Sequence, residues 1–391
     1  MNGWRECKLG DVLELVGGGT PKTTEETYWG GNIPWLSVAD FNTGMKYVDK
    51  AEKTVTKKGV ECSSTKILNA GDIIISARGT VGAMAVLKKP MAFNQSCYGI
   101  KEKPGVSDKE FLYYLVKNSI NELQQISHGG VFDTITRETF DSIDILLPPL
   151  PVQKAIAGVL SSLDDKIELL HRQNKTLESL AETIFRQWFI EEAEKGWEEK
   201  PLFYFGKIIC GKTPSKKKPE YFNGEVPFIK IPDMHNKTFV LNTEDKLSTE
   251  GKLSQINKTL PPFSICISCI ATVGLVSMNA FESQTNQQIN SIIPAKDYYR
   301  YYLYLFMHSF SDELKAMASG GTATMNLNTG NFAEISLLLP PEKVLFVFHD
   351  TTEPIFSKIF QNQIQINGLS EKRNLLISQL MSGDVEVDHE H

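Results

Sequence analysis

Residues 146–170 read LLPPLPVQKAIAGVLSSLDDKIELL. Pro151 suits the first turn of a helix, where its missing N–H would have no intrahelical partner in any case. From there apolar positions step by fours and threes through Ile156, Leu160, Leu163, Ile167, Leu170, Asn174, Leu177, Ala181, Ile184 and Trp188. That is a heptad seam with Asn174 as its one polar member, the kind of residue that fixes register. The spacing predicts a helix from Gln153 to Phe189, about 55 Å long at 1.5 Å per residue.

A weaker form of the same signature comes after Leu338-Leu339-Pro340-Pro341, with Phe348, Thr352, Ile355, Ile359, Asn362, Ile366, Leu369, Arg373, Leu376 and Leu380 in the seam. Asn362 and Arg373 predict that this seam is the weaker one. A stripe of ten positions outlasts a single domain face, so the two helices are expected to pair with each other.

Upstream of each helix the chain repeats as well. Gly18-Gly19-Thr20-Pro21-Lys22 and Tyr28-Trp29-Gly30-Gly31-Asn32-Ile33-Pro34-Trp35 return as Gly211-Lys212-Thr213-Pro214-Ser215 and Tyr221-Phe222-Asn223-Gly224-Glu225-Val226-Pro227-Phe228. Ser76–Gly82 (SARGTVG) answers Ser268–Gly274 (SCIATVG), Asn94-Gln95 answers Asn286-Gln287, and His128-Gly129-Gly130 answers Ser319-Gly320-Gly321. A period of half the chain is a duplicated two-part unit rather than a solenoid. Each first part mixes strand-like runs with an amphipathic helix, Asp108–Ile126 or Tyr298–Met317, which predicts an α+β domain. The expected organisation is domain one over 1–151, a central helix over 152–190, domain two over 191–343 and a distal helix over 344–383. A compact domain of this size keeps its ends close, so the distal helix should run back along the central one, as an antiparallel coiled coil with pseudo two-fold symmetry.

The 391 residues, 41% hydrophobic, 10% aromatic and 23% charged, have the make-up of a folded protein of two or three domains. No run approaches the roughly 18 apolar residues of a membrane helix, and Met1-Asn2-Gly3-Trp4-Arg5-Glu6 lacks the layout of a signal peptide. A cytoplasmic location with no membrane contact is expected. Six scattered cysteines read as reduced thiols. Cys266-x-x-Cys269 has no second ligand pair beside it, and no HExxH spacing occurs, so no metal site is expected. The net charge of −6 is uneven: −1 over residues 1–150 and +1 over 197–341, against −2 over 151–196 and −4 over 342–391. Near-neutral domains on an acidic helical pair predict weak intrinsic affinity for nucleic acid, helped by partners.

Gly206-Lys207-Ile208-Ile209-Cys210-Gly211-Lys212-Thr213 fits the P-loop pattern in letters. A P-loop must open a helix, yet Pro214 and Pro219 bracket the next residues, so a nucleotide-binding enzyme using this loop is held only as an alternative. No catalytic set has a credible context.

The GGTP and YWGG-IPW opening, S-x-x-G-T-V-G, the Asn-Gln pair, H-G-G and LPPLPVQKAIAGVLSSLDDKIELL, repeated in degenerate form and in the same order with a heptad helix after each copy, resemble the specificity (S) subunit of type I restriction–modification enzymes. The resemblance spans essentially the whole chain. It implies two target recognition domains, each reading half of a bipartite site on double-stranded DNA, with helices that space them and dock two methyltransferase (M) subunits. Restriction (R) subunits would join for cleavage. S-adenosylmethionine, ATP and Mg would be used by those partners, and this chain would bind no cofactor and catalyse nothing. A protein-interaction scaffold is the alternative from another class.

Candidate DNA contacts are Thr20, Lys22, Arg78, Asn94 and Gln95 in the first domain, and Thr213, Lys216, Lys217, Lys218, Asn286 and Gln287 in the second. Arg, Asn and Gln can bond base edges bidentately. Asn94 and Asn286 serve equally well as turn residues that bond their own backbone. The copies differ where Arg78 corresponds to Ile270 and Gln153 to Leu345. Helix pairing is assigned to Ile156, Leu160, Leu163, Ile167, Leu170, Asn174, Leu177, Ile355, Ile359, Asn362, Ile366, Leu369 and Leu376.

Overall fold

The computed structural model describes residues 3–128, 134–194, 196–319 and 325–387. The chain divides into two compact units: residues up to 169 together with those from 368 onward, and residues 170–367. Both Gly-Gly pairs expected to answer each other, Gly129-Gly130 and Gly320-Gly321, lie outside the described residues.

In the first unit, five strands form a sheet in the order Leu13–Gly17, Cys97–Glu102, Ile73–Ser76, Met84–Leu87, Tyr47–Val48. Only the last pair is parallel. Ile73, Ile74 and Ile75 are buried in succession, as expected of a β-branched run covered on both faces. A second sheet of four strands, Lys53–Val55, Trp29–Leu36, Met91–Phe93 and Ile67–Leu68, carries the YWGG-IPW motif. The helix Lys109–Asn118 is capped by the Asp108 carboxylate, which accepts from the N–H groups of Glu110 and Phe111.

The second unit repeats this plan. Its sheet runs Gly206–Cys210, Ile289–Pro294, Ile265–Ser268, Val276–Asn279, Phe239–Val240, again with only the last pair parallel. Even the irregularity is copied. Trp29 and Ile33 both oppose Val55, and Phe222 and Val226 both oppose Leu247. Cys266, inside the strand Ile265–Ser268, and Cys269, just after it, are buried thiols, pushed by burial up to about 12 and about 11.

Two long helices, Leu150–Arg186 (central) and Glu342–Ser382 (distal), complete both cores. In the first unit Ile156 and Leu160 share a cluster with Ile377, Leu380 and Met381. In the second, Ala181, Phe185 and Phe189 pack with Phe348, Ile355 and Ile359, the Phe189 and Phe348 rings lying 4.7 Å apart. Early residues of one helix thus meet late residues of the other, and the pairing is antiparallel. Ile156, Leu160, Ile167, Leu170, Asn174, Ile355, Ile359, Asn362 and Ile366 are buried, while Leu163, Leu177, Leu369 and Leu376 are half-buried.

The polar residues that appeared to weaken the distal seam find partners across it. Asn362 Nδ2 donates to Asn174 Oδ1 at 2.8 Å. Arg373 Nη1 lies 2.5 Å from Asp164 Oδ1, with the Asp164 side chain 2% and that of Arg373 11% exposed. Tyr114 donates to the other Asp164 oxygen at 2.7 Å. Burial, and then the Asp164 carboxylate, push the Tyr114 hydroxyl far above its ordinary value, so it remains the donor. Lys46 closes the network on Tyr114 and Glu110. In the second unit Phe356 stands at the place of Asp164, its ring stacked on Tyr301 at 4.3 Å, and the Tyr301 hydroxyl donates to the Glu353 carboxylate.

Removing one member of a buried ion pair strands the other in a medium that solvates it poorly. Arg373→Ala is therefore expected to lower the unfolding free energy by about 3–5 kcal/mol. Asp164→Leu with Arg373→Met should recover most of that loss. Urea unfolding of the single and double variants checks both, and additive losses would show that the pair is not coupled.

Candidate nucleic-acid interface

Three strands of the first sheet end at one place: Leu13–Gly17 and Ile73–Ser76 finish there and Cys97–Glu102 begins there, with Cys97 opposite Ser76 and Tyr98 opposite Gly17. The loops leaving these strand ends carry Thr20, Arg78, Asn94 and Gln95. They are tied together by backbone bonds from Gly19 to the Phe93 carbonyl at 3.0 Å and from Ala77 to the Ser96 carbonyl at 2.8 Å. The second unit repeats the gathering. Lys212 N–H bonds the Thr285 carbonyl at 2.9 Å and Cys269 N–H the Gln288 carbonyl at 2.8 Å.

Glycine makes the approach possible. A Cβ at Gly18 would lie 2.0 Å from the Asn94 carbonyl oxygen, and one at Gly211 would lie 2.1 Å from that of Asn286. Two residues further on, the Thr20 hydroxyl donates to Gln95 Oε1, and the Thr213 hydroxyl to Gln287 Oε1 at 2.7 Å. Both glutamines are exposed.

Asn94 and Asn286 take their turn role. Asn94 Oδ1 accepts from Ser96 N–H and Asn286 Oδ1 from Gln288 N–H, each at 3.1 Å. Asn286 is also 8% exposed. Arg78 is exposed on the loop after its strand, its backbone bridging to Thr134 as that of Ile270 bridges to Asn326. Lys22, Lys216, Lys217 and Lys218 are exposed on the loops beyond the Thr-Pro pairs. Lys218 donates to the Tyr221 hydroxyl at 3.0 Å, its ammonium 5.0 Å from that ring. Gly206–Cys210 is an edge strand, and residues 211–215 form no helix, so the P-loop letters lack the helix start that would hold phosphate.

Two tryptophans support the candidate face of the first unit. Trp35 Nε1 donates to the Gly19 carbonyl and Trp29 Nε1 to that of Lys22, both at 3.1 Å, and so hold the loop that presents Thr20. Phenylalanines replace them in the second copy, where Gln255 Nε2 donates to the Lys212 carbonyl at 2.7 Å instead. The exchange of Trp for Phe between YWGGNIPW and YFNGEVPF was the available signal. At the helix start, Gln153 is 1% exposed; its amide donates to the Val106 and Pro148 carbonyls and accepts from Asp108 N–H. Leu345 fills the matching place with apolar surface.

The family profile described as the type I restriction modification DNA specificity domain matches residues 1–179 and again 194–371, once per repeat. The chain belongs to the type I restriction–modification specificity subunits. Among its relatives is the HindI specificity subunit of Haemophilus influenzae, 35% identical, the match covering 98% of this chain and all of that one. The MjaIX specificity subunit of Methanocaldococcus jannaschii is 29% identical over 98% of this chain and 94% of that one. The crystal structure of an S subunit from M. genitalium shares the fold, with a TM-score of 0.57 at 15% identity over 97% of this chain and 96% of that one. This S subunit is the non-catalytic, DNA-specificity member of a complex with M and R subunits, and cofactors are used by those subunits. Among the described residues no helix is long and apolar enough to cross a membrane.

The tight approach at Gly18 gives a contrast with its neighbour, because a Cβ at Gly17 meets nothing within 4 Å. Gly18→Ala should cost about 1–3 kcal/mol through forced separation of the two loops. Gly17→Ala should be close to neutral, and thermal unfolding of the two variants distinguishes them.

Proposed function

We propose that each recognition domain reads one half of a bipartite site on double-stranded DNA through the strand-end face that carries Thr20, Lys22, Arg78 and Gln95, or Thr213, Lys216, Lys217, Lys218 and Gln287. The observation that carries this reading is the repetition of the face: the same three strand ends gather equivalent residues in both copies. Residues 1–151 and 191–343 act as the readers, and the helices over 152–190 and 344–383 act as spacer and scaffold. Asn94 and Asn286 shape the turn that presents the glutamines.

Two M subunits, using S-adenosylmethionine, assemble on this chain in the cytoplasm, and R subunits using ATP and Mg join for cleavage. A base inside a duplex is out of reach of a methyltransferase until it leaves the stack. In this account the recognition domains hold register while the M subunit extracts the base. Specificity then comes from side chains that differ between the copies, and Arg78 against Ile270 is one such difference. A guanidinium can bond the O6 and N7 acceptors of guanine together, whereas an isoleucine offers only apolar contact, as to a thymine methyl.

Co-expression with its M subunit and single-molecule mapping of methylated bases should reveal a two-part motif with a fixed gap. Arg78→Ala should relax one position in one half, at a cost of about 1–3 kcal/mol in discrimination. A motif without a gap, or one indifferent to both Arg78 and Ile270 substitutions, would contradict this face as the reader.

A further inference from the structure

The glutamine of the shared Thr–Gln pair presents less hydrogen-bonding capacity than its residue type suggests. An amide side chain carries an acceptor and two donor hydrogens, and bidentate recognition of adenine needs both kinds. In both units the acceptor is already engaged, by the Thr20 hydroxyl at Gln95 and by the Thr213 hydroxyl at Gln287. Among the described residues neither glutamine Nε2 has a hydrogen-bond partner, and both side chains are exposed. What each unit shows to solvent here is an Nε2 donor held in place through its own carbonyl oxygen, which the threonine hydroxyl has turned inward and partly occupied.

The pair is also the same in both copies, while the neighbouring loop changes from Arg78 to Ile270. A contact identical in two readers cannot distinguish two different half-sites. It suits the feature that every duplex presents alike, the phosphate backbone, whose oxygens only accept. The machinery that aims the pair is duplicated too, in the glycine approach at Gly18 and Gly211 and in the Asn94 and Asn286 turns.

We propose that Gln95 and Gln287, each oriented by its threonine, clamp a DNA phosphate through the Nε2 donor, one per half-site, and set register without reading sequence. This rests on the strand-end face being the one that meets DNA. Lys22 and the Lys216–Lys218 run lie on the loops that continue from the two threonines and supply the charge beside each clamp.

The decisive variants are Gln95→Glu and Gln287→Glu in the full chain assembled with its M subunit. A glutamate still accepts from the threonine hydroxyl, so the loop pairing and the thermal stability should be retained. The donors are lost, however, and a negative charge faces the phosphate. Affinity for a duplex carrying the site and for an unrelated duplex of equal length should fall by the same factor, about tenfold or more per substitution. The methylated motif should stay unchanged base by base. Gln95→Met and Gln287→Met, which lack the donors without adding charge, serve if either glutamate variant fails to fold. A changed base in the motif would overturn the proposal in favour of base reading. Unchanged affinity in a stably folded variant would overturn it in favour of a purely structural pair. If the unsubstituted complex methylates no two-part motif, the reading of the face itself fails, and the clamp with it.

Discussion

Everything else in this chain depends on the antiparallel seam between the central and distal helices, because neither recognition domain closes its core alone. The first unit buries Ile377, Leu380 and Met381 from the end of the distal helix against Ile156 and Leu160. The second buries Ala181, Phe185 and Phe189 from the end of the central helix. Apolar contact supplies the stability, and it is non-directional. Register comes instead from two polar pairs, Asn174 with Asn362 and Asp164 with Arg373, each of which would be costly to leave unmatched. A slip of the helices would bury an unpaired charge.

The helices, their pairing and the duplication were legible in the sequence because heptad spacing and self-similarity are local signals. The polarity of the seam was only half legible. Arg373 looks like a defect when its own helix is read alone, since its partner lies 209 residues away on the other. Asp164 sits one position after Leu163 and gave no hint of burial, yet it is the more buried of the two. The same limit applies at the interface. The motifs pointed to Thr20, Gln95, Thr213 and Gln287, but the threonine–glutamine bonds join residues some 75 apart and appear only once the strand ends are brought together. Asn94 and Asn286 had two readings in the sequence, and the bonds each makes to the backbone two residues on are those of the turn reading.

The charge distribution fits this division of labour. Domains that carry −1 and +1 have no large field with which to hold DNA by counterion release. On the proposed reading, a few placed donors on each domain would act together with the rest of the assembly. The two copies have also diverged inside a fixed plan. One unit meets the helices through Lys46, Glu110, Tyr114 and Asp164, and the other through stacked aromatic rings. Strand order and register of the five-stranded sheet are the same in both units, so side chains at the loops and the helix contacts have changed while the sheet that aims them has not.

The claim that each core is completed by the far end of the opposite helix is tested most directly by ending the chain after Arg373 and measuring amide hydrogen exchange. The account predicts that the helix Lys109–Asn118 loses protection by at least about tenfold while Arg300–Ser309 keeps its own, since regions open according to their local contacts. Undiminished protection of Lys109–Asn118 in the shortened chain would contradict it.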